Sequence, residues 1–201
     1  MARPRVFIDG HVGTTGLRIR DWLAGRDEIE VVSIEEARRK DPEARRAALA
    51  DADVAVLCLP DDAARQAVEL IGEGRTRVLD TSTAHRTSEG WVYGLPEVFR
   101  DVIPSATRIA NPGCYPTAAT LALLPAVENG WLAGPIPISA LSGVTGAGRG
   151  PALRTSFAEL EGGAAIYKAG TEHPHVAEIE RTLGRLAQGP VRVSFVPHLT
   201  P

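Results

Sequence analysis

The amino-acid sequence predicts an α/β protein in which a Rossmann-like, doubly wound parallel sheet is followed by an α+β domain. Short apolar runs alternate with helix-like segments through roughly the first hundred residues, the pattern of parallel βαβ units. A glycine-rich turn follows the first apolar run, and the pattern changes after Cys114. We therefore expect a dinucleotide-binding domain over residues 1–113 and a second domain over residues 114–201.

Five apolar runs bounded by turn residues predict the strands of the first domain. Helices with apolar residues on one face are expected between the strands, and Asp61 and Asp62 are expected to cap the third of them. The predicted strands cover 5–9, 29–34, 54–59, 77–80 and 108–110, and the helices cover about 17–24, 41–50 and 61–72.

The second domain is predicted to mix helices and strands. A long helix is expected from Thr117 despite Pro125, and a later helix has apolar residues on one face. The predicted elements are helices over 117–129 and 174–187, strands over 136–141 and 191–196, and a glycine-rich loop over 142–150.

Composition and charge narrow the class of protein. Hydrophobic residues make up 44% of the 201 residues and charged residues 23%, with a formal net charge of −3, so nucleic-acid and membrane binding are not expected. No signal peptide or apolar run of about 20 residues is apparent. The two cysteines form no spaced pair, so a reduced, cytoplasmic protein is predicted.

The first glycine-rich turn has the spacing Gly10-x-x-Gly13-x-x-Gly16. A strand, a tight turn and a helix N-terminus would direct backbone N–H groups at a pyrophosphate, with Thr14 and Thr15 as hydroxyl donors. The spacing differs from the common Gly-x-Gly-x-x-Gly, so a purely structural turn is the alternative.

The choice of nucleotide depends on residues about twenty positions past this turn. The sequence offers acids at Glu35 and Glu36 and then the basic run 38–40, which begins at Arg38. We expect NADP, with Arg38 as a phosphate ligand, while a solvated helix start is the alternative.

Cys114 is the predicted nucleophile. Gly113 permits close approach of the backbone, and Pro116 suits the first turn of a helix. The thiol would then lie at a helix N-terminus, where the positive end of the dipole favours thiolate and the amides can hold an oxyanion. Cys58, within an apolar run, fits a buried structural role.

A partner base and anion-binding groups are also expected. His175 opens a predicted helix, where a neutral imidazole is favoured and can accept or donate a proton. His173 and His175 could instead be a surface pair; a metal site is not predicted because no third ligand is suitably spaced. Arg86 and Arg149 are candidates for binding a carboxylate or phosphate, although solvent exposure is the alternative for each.

Taken together, these segments resemble N-acetyl-γ-glutamyl-phosphate reductase, a member of the semialdehyde dehydrogenase group. The matches extend over nearly the whole chain, and the combination of the cysteine segment with YGLPE is specific. The matching stretches are IDGHVGTTG at 8–16, LCLPDD at 57–62, DTSTAHR at 80–86, YGLPE at 93–97, NPGCYPT at 111–117, SGVTGAGR at 142–149 and HPHVAEI at 173–179.

The resemblance implies a reaction and a set of residues. Cys114 would attack N-acetyl-γ-glutamyl phosphate, NADPH would reduce the resulting thioester, and His175 would act as acid and base to give N-acetylglutamate 5-semialdehyde. The second domain would serve catalysis and self-association as a dimer or tetramer. Implied cofactor contacts beyond the glycine turn and Arg38 are Pro60, Ser82 and Gly146, and implied substrate contacts are Arg86, Glu97, Asn111, Ser142 and Arg149.

Two departures from the family pattern leave alternatives open. Residues 195–199 look like a longer form of the family, whereas the N-terminal half looks like its short form. Family members continue about a hundred residues further, so we expect a second domain truncated at its C-terminus, with an unpaired sheet edge. An aspartate- or N-acetyl-aminoadipate-type semialdehyde dehydrogenase, or an inactive nucleotide-binding or partner-binding protein, are the alternatives.

Overall fold

The computed structural model describes residues 2–148, 150 and 152–201. The chain divides into two compact units, Met1–Pro112 and Gly113–Pro201. The first has a parallel sheet with helices and the second a smaller mixed sheet with helices, which confirms the predicted fold class.

The sheet of the first unit has six strands, all parallel to their neighbours, in the order β2-β1-β3-β4-β6-β5. The two-residue strand β5 was not predicted, because two residues are too few to produce a recognisable apolar pattern. The strands are β1 (Arg5–Asp9), β2 (Glu30–Val32), β3 (Val54–Leu57), β4 (Arg77–Asp80), β5 (Val92–Tyr93) and β6 (Arg108–Ala110).

The helices of the first unit are α1 (Thr14–Ala24), α2 (Pro42–Asp51), α3 (Asp61–Ile71) and the single turn α4 (Pro96–Phe99). Asp41 caps α2 by accepting hydrogen bonds from the amides of residues 43 and 44.

The predicted capping of α3 by Asp61 and Asp62 is wrong. Pro60 occupies the cap position, and both aspartates lie inside the first turn. The carboxylate of Asp61 instead accepts hydrogen bonds from the backbone N–H and the hydroxyl of Thr83. A long-range partner has therefore replaced the local capping bond, while the acidic charge still lies at the positive end of the helix.

The core of the first unit lies between the sheet and its helices. Leu49 and Leu57 are fully buried there, and each contributes about 1.5–3 kcal/mol to folding relative to an exposed side chain. Ala64 and Ala67 form the buried face of α3. The small side chains let that helix lie close to the sheet.

The second unit contains α5 (Cys114–Glu128), β7 (Ile136–Gly143), α6 (Phe157–Leu160), β8 (Ala165–Ile166), α7 (His175–Leu186) and β9 (Val193–Thr200). Strand β9 pairs in parallel with β7 and antiparallel with β8. Phe195 on β9 and Ile179 and Leu183 on α7 are fully buried in one apolar cluster. Within the described residues, every helix falls short of the length and apolarity needed to cross a membrane.

Candidate active site

The turn after β1 is packed tightly against its own surroundings. Gly10 has a φ of +87°, and a Cβ atom added there would lie 2.2 Å from the carbonyl oxygen of Cys58. A Cβ added to Gly16 would lie 2.4 Å from the carbonyl oxygen of Gly10. Gly13 is less confined, since its nearest neighbour would be 3.4 Å away. Two of the three glycines are thus required by the packing of the chain itself.

Gly13 is the N-cap residue of α1, and Thr14 and Thr15 are its first two residues. The first amides of an α-helix have no partner within the helix and carry the positive end of its dipole. Thr14 is half-buried and Thr15 is exposed. This helix start therefore has the features of a phosphate-binding site.

A cavity of about 240 Å³ adjoins this turn at the carboxyl end of β1. Its charged lining residues include Asp9 and Arg45, and Asp9 Oδ2 accepts hydrogen bonds from Arg45 Nε at 3.1 Å and Nη2 at 2.7 Å. Both side chains are largely buried. The ion pair fixes the guanidinium at the wall of the cavity.

Arg39 and Lys40 also line this cavity. Glu36 forms ion pairs with Arg39 Nε at 2.7 Å and with His11 Nε2 at 3.4 Å when that ring is protonated. Arg38, the residue selected from the sequence, is exposed and donates to Asp41 Oδ2 at 2.9 Å. The two residues that follow it, rather than Arg38 itself, form part of the cavity wall.

The segment after β4 is organised around a buried carboxylate. Asp80 is fully buried and accepts hydrogen bonds from the Ser82 amide at 3.0 Å, the Ser82 hydroxyl at 2.7 Å and His85 Nδ1 at 2.6 Å. The His85 ring stacks on Trp91 with a centroid distance of 4.0 Å. Ser82, a predicted cofactor contact, therefore has its hydroxyl proton directed at Asp80.

The other predicted contacts of the first unit lie on loops and helix ends. Arg86 Nε donates to the carbonyl of Asn111 at 2.9 Å, and Arg86 Nη2 donates to the carbonyl of Thr81 at 3.1 Å. Pro60 is exposed at the start of α3, and Glu97 is exposed in the first turn of α4. Their roles stay predictions.

In the second unit, Cys114 is the first residue of α5 and is exposed. Gly113 precedes it as the N-cap residue, and its amide donates to Glu178 Oε1 at 2.7 Å. The carbonyl of Gly113 accepts from the amide of Thr117 at 2.9 Å and from its hydroxyl at 2.8 Å. Both backbone polar groups of Gly113, its N–H and its C=O, are thereby hydrogen-bonded at the start of the helix.

Cys114 lines a cavity of about 420 Å³, a size suited to a small metabolite. The predicted residues His175, Ser142 and Gly146 line the same cavity, whereas Arg149 lies outside the described residues. Gly146, which the resemblance assigned to the cofactor, thus lines the same cavity as the thiol. The remaining lining residues are Tyr115, Ala147, Arg154, Thr155, Ala165, Ile166, Tyr167, His173 and Leu199.

The two histidines of the cavity are coupled through the backbone. The amide of His175 donates to His173 Nδ1 at 3.1 Å, so a neutral His173 carries its proton on Nε2. Burial, with a smaller contribution from Lys168, lowers the pKa of His173. Both rings are largely buried, and their centroids are 4.5 Å apart. His173 is therefore neutral at physiological pH.

Two tyrosines extend the polar wall of the cavity. Tyr167 donates its hydroxyl proton to the Tyr115 hydroxyl at 3.3 Å, and Tyr115 donates to the carbonyl of His198 at 3.0 Å. Burial chiefly raises the pKa of Tyr167, while the positive charge of Arg154 acts in the opposite direction. Tyr167 is therefore a neutral hydrogen-bonding group.

Cys58 differs from Cys114. Burial raises the pKa of the Cys58 thiol to about 11. Such a thiol is almost entirely protonated near neutral pH and reacts slowly.

Four residues beside Cys114 were missed by sequence reasoning as site components: Glu178, His173, Tyr167 and Arg154. Glu178 and His173 lie in the quoted HPHVAEI segment, so their proximity to His175 was a usable signal. Tyr167 and Arg154 lie in segments without a recognisable pattern. Among the described residues, no group of three or more His, Cys, Asp or Glu side chains is arranged to hold a metal ion.

Fold and site together define a protein with an α/β unit of the dinucleotide-binding type, joined to a unit with an exposed cysteine at a helix N-terminus. Residues 21–106 match the semialdehyde dehydrogenase NAD binding domain, and residues 114–201 match the semialdehyde dehydrogenase dimerisation domain. The chain belongs to the semialdehyde dehydrogenase family.

Curated relatives carry a more specific name. The chain is 46% identical over 204 residues to N-acetyl-gamma-glutamyl-phosphate reductase 2 of Pseudomonas putida, and 44% identical over 209 residues to the protein of the same name from Nostoc sp.. Each match covers 98% of this chain and 64% of the relative. The chain thus spans about 64% of the length of these relatives.

Solved structures show the same fold at low sequence identity. Aspartate semialdehyde dehydrogenase II of Vibrio cholerae, complexed with ASA, has a TM-score of 0.73 at 14% identity, covering 100% of this chain and 71% of that one. Aspartate semialdehyde dehydrogenase of Candida albicans, solved with NADP, has a TM-score of 0.71 at 15% identity, covering 100% of this chain and 68% of that one.

Proposed function

We propose that the protein reduces N-acetyl-γ-glutamyl phosphate to N-acetylglutamate 5-semialdehyde and phosphate, using NADPH, as a step of arginine biosynthesis. Residues 1–113 bind the dinucleotide, and residues 114–201 supply the reacting groups. The relatives named N-acetyl-gamma-glutamyl-phosphate reductase support this substrate. The observation that carries the proposal is the exposed thiol of Cys114, at the first position of α5, in a cavity shared with His175.

The proposed reaction begins at the sulfur atom. His175 accepts the thiol proton, the Cys114 thiolate attacks the acyl carbon, and a C–S bond forms as the C–O bond to phosphate breaks. The proton passes from His175 to the departing phosphate. The amides of Cys114 and Tyr115, which α5 itself does not use, face the negative oxygen of the tetrahedral state; Pro116 has no amide proton to offer.

NADPH supplies, when bound, the hydride that reduces the thioester carbon. The resulting alkoxide is held by the same helix amides until the C–S bond breaks, which releases the aldehyde and returns the thiolate. A proton from solvent then restores the thiol. Buried Glu178 holds the Gly113 peptide throughout, so the helix start keeps its orientation.

The residues of the first unit fit a phosphorylated dinucleotide. Gly13 leaves space beside the first amides of α1, as a pyrophosphate requires. Glu36, the acid near the expected position for a ribose diol, is paired with Arg39, and Arg39 and Lys40 line the adjacent cavity. The pair of Glu36 and Arg39 is neutral overall, and Lys40 adds a net positive charge, which favours the 2′-phosphate of NADP over the free diol of NAD.

The cofactor proposal is tested by equilibrium binding of NADP⁺ and NAD⁺. Arg39→Gln and Lys40→Gln should each weaken NADP⁺ binding about tenfold or more while leaving NAD⁺ binding unchanged. Arg38→Gln is the matched control, because that side chain pairs with Asp41 outside the cavity. Equal losses for both nucleotides in the Arg39 and Lys40 variants would argue against a 2′-phosphate site.

The reaction is tested in the oxidative direction, with N-acetylglutamate 5-semialdehyde, phosphate and NADP⁺. Cys114→Ser should abolish NADPH formation, and Cys58→Ser should retain it. Undiminished turnover by Cys114→Ser would contradict the assignment. Aspartate semialdehyde and the homologue of N-acetylglutamate 5-semialdehyde with one more methylene group serve as competing substrates. A preference for either compound would contradict the proposed substrate.

We further propose that the protein is a cytoplasmic homo-oligomer. The match of residues 114–201 to a dimerisation domain supports self-association. Light scattering at several protein concentrations tests it, with a monomer at every concentration as the contradicting result.

A further inference from the structure

We propose that Arg154 binds the carboxylate of the substrate's amino-acid moiety in the cavity that contains Cys114. This inference rests on the proposed function and adds a specificity-determining residue to it. Arg154 lies on the single turn of 3₁₀-helix Leu153–Thr155, forty residues after the thiol in the chain and just after the glycine-rich loop over 142–150, outside every motif that the sequence suggested.

Arg154 lies in the wall of the same cavity as the thiol. Cys114, Arg154 and Tyr167 all line this cavity, and the charges of Cys114 and Arg154 shift the pKa of Tyr167 in opposite directions. The turn that presents Arg154 is closed by hydrogen bonds from the Thr155 amide and hydroxyl to the carbonyl of Ala152, each of 3.0 Å. The backbone at this position is therefore held while the side chain extends.

Charge distinguishes Arg154 from the other lining residues. Among the described residues of the cavity wall it carries the permanent positive charge, because burial keeps His173 neutral. In the described part of the chain no carboxylate pairs with its guanidinium. An arginine without an internal carboxylate partner, beside a nucleophile, is available to an anionic ligand.

The substrate has two anionic ends, which need different partners. The phosphate is attached to the carbon that Cys114 attacks, so it must lie within one bond of the reacting atom, at the positive end of α5. The carboxylate lies at the other end of the molecule and stays there from substrate to product. A guanidinium matches a carboxylate through two parallel hydrogen bonds. Arg154 is therefore assigned to the carboxylate rather than to the phosphate.

The first test measures KM in the oxidative direction for Arg154→Gln, Arg154→Lys and the control Arg181→Gln, an exposed arginine on α7. Arg154→Gln should raise KM for N-acetylglutamate 5-semialdehyde about 10- to 100-fold, with the KM values for phosphate and NADP⁺ unchanged. Arg154→Lys should recover part of the loss, and Arg181→Gln should match the wild type. A higher KM for phosphate instead, or no difference from Arg181→Gln, would overturn the assignment.

The second test does not depend on turnover. N-acetylglutamate, which has the same carboxylate but no reactive carbonyl, should slow the alkylation of Cys114 by iodoacetamide in the wild type and in Arg181→Gln. It should give no protection in Arg154→Gln. Equal protection in both arginine variants would overturn the role of Arg154. A wild type that is protected but shows no turnover would instead defeat the proposed reaction and leave the binding assignment intact.

Discussion

Two helices in this molecule begin after a glycine N-cap, but the segments around these two glycines are packed differently. In the turn before α1, Gly10 lies so close to the carbonyl of Cys58 that there is no room for a Cβ atom, and the Cys58 side chain is largely buried. At the start of α5, the N–H of Gly113 is bonded to Glu178 and its C=O to Thr117, and Cys114 is exposed. The first turn is constrained by the chain's own backbone, and the second by side chains that leave the reactive atom accessible.

The difference indicates how a glycine and a cysteine can each have two roles. A glycine can be required because the chain leaves no room, or because a ligand needs room. A cysteine can serve as a small buried side chain or as a nucleophile. Burial and neighbours decide between these roles, and the following experiments test whether the contrast between the two turns is as large as the contacts imply.

The largest effect is expected for Gly10→Ala. The positive φ of Gly10 and the 2.2 Å approach of the new Cβ to the Cys58 carbonyl cannot both be accommodated without moving the backbone. The free energy of unfolding should fall by about 3 kcal/mol or more. Denaturant titration measures this, with Gly13→Ala as the control because its Cβ has an ordinary 3.4 Å neighbour. Equal stability of the two variants would mean that the turn is not closely packed.

The second expected effect concerns the reactivity of the two thiols. With a pKa of about 11, Cys58 is ionised in roughly one molecule in a thousand at about pH 8. Iodoacetamide should therefore label Cys114 in the folded protein long before Cys58, as peptide mass analysis would show. Cys114→Ala should leave the folded protein almost unlabelled, and Cys58→Ala should not change the rate. Comparable labelling of both thiols would remove the contrast between the two turns.

A third, smaller effect is a pH dependence of stability. Burial raises the pKa of Cys58 from 9.0 to about 11, so its protonated form is favoured in the folded state. This contribution is fully present below about pH 9 and is lost as the pH rises through about 11, with a magnitude of about 2–3 kcal/mol. The wild type should lose more stability than Cys58→Ala between about pH 8 and 11. Parallel losses in the two proteins would be inconsistent with a buried Cys58 thiol.

The smallest effect is expected at the start of α5. Glu178→Ala leaves the buried amide of Gly113 without its acceptor, at a cost of about 1–3 kcal/mol in the free energy of unfolding. Turnover should fall as well, because the helix amides lose their fixed orientation. Glu178→Gln keeps an acceptor oxygen and should behave nearly as the wild type in stability. If Glu178→Gln were as unstable as Glu178→Ala, the charge rather than the hydrogen bond would be what matters.

Local pattern in the sequence was enough to predict most of the fold. The apolar runs and their turn residues predicted five of the six strands of the first sheet, because a buried parallel strand is apolar over most of its length. Strands β5 and β8 have two residues each and exist through pairing with longer strands, so no local pattern marks them. Likewise, Asp61 resembled a helix cap, but its partner Thr83 comes from a segment 22 residues away.

The sequence by itself determined the class of the two units and the position of Cys114 at a helix start, since glycine and proline act within a few residues of their own place. The tertiary structure decided which groups accompany the thiol. Glu178 is hydrogen-bonded to Gly113, 65 residues earlier in the chain, and Arg154 and Tyr167 reach the cavity from segments without a motif.

The tertiary structure also decided that Arg39 and Lys40, rather than Arg38, line the cavity of the first unit. Contacts between residues distant in sequence depend on packing, which no local pattern encodes.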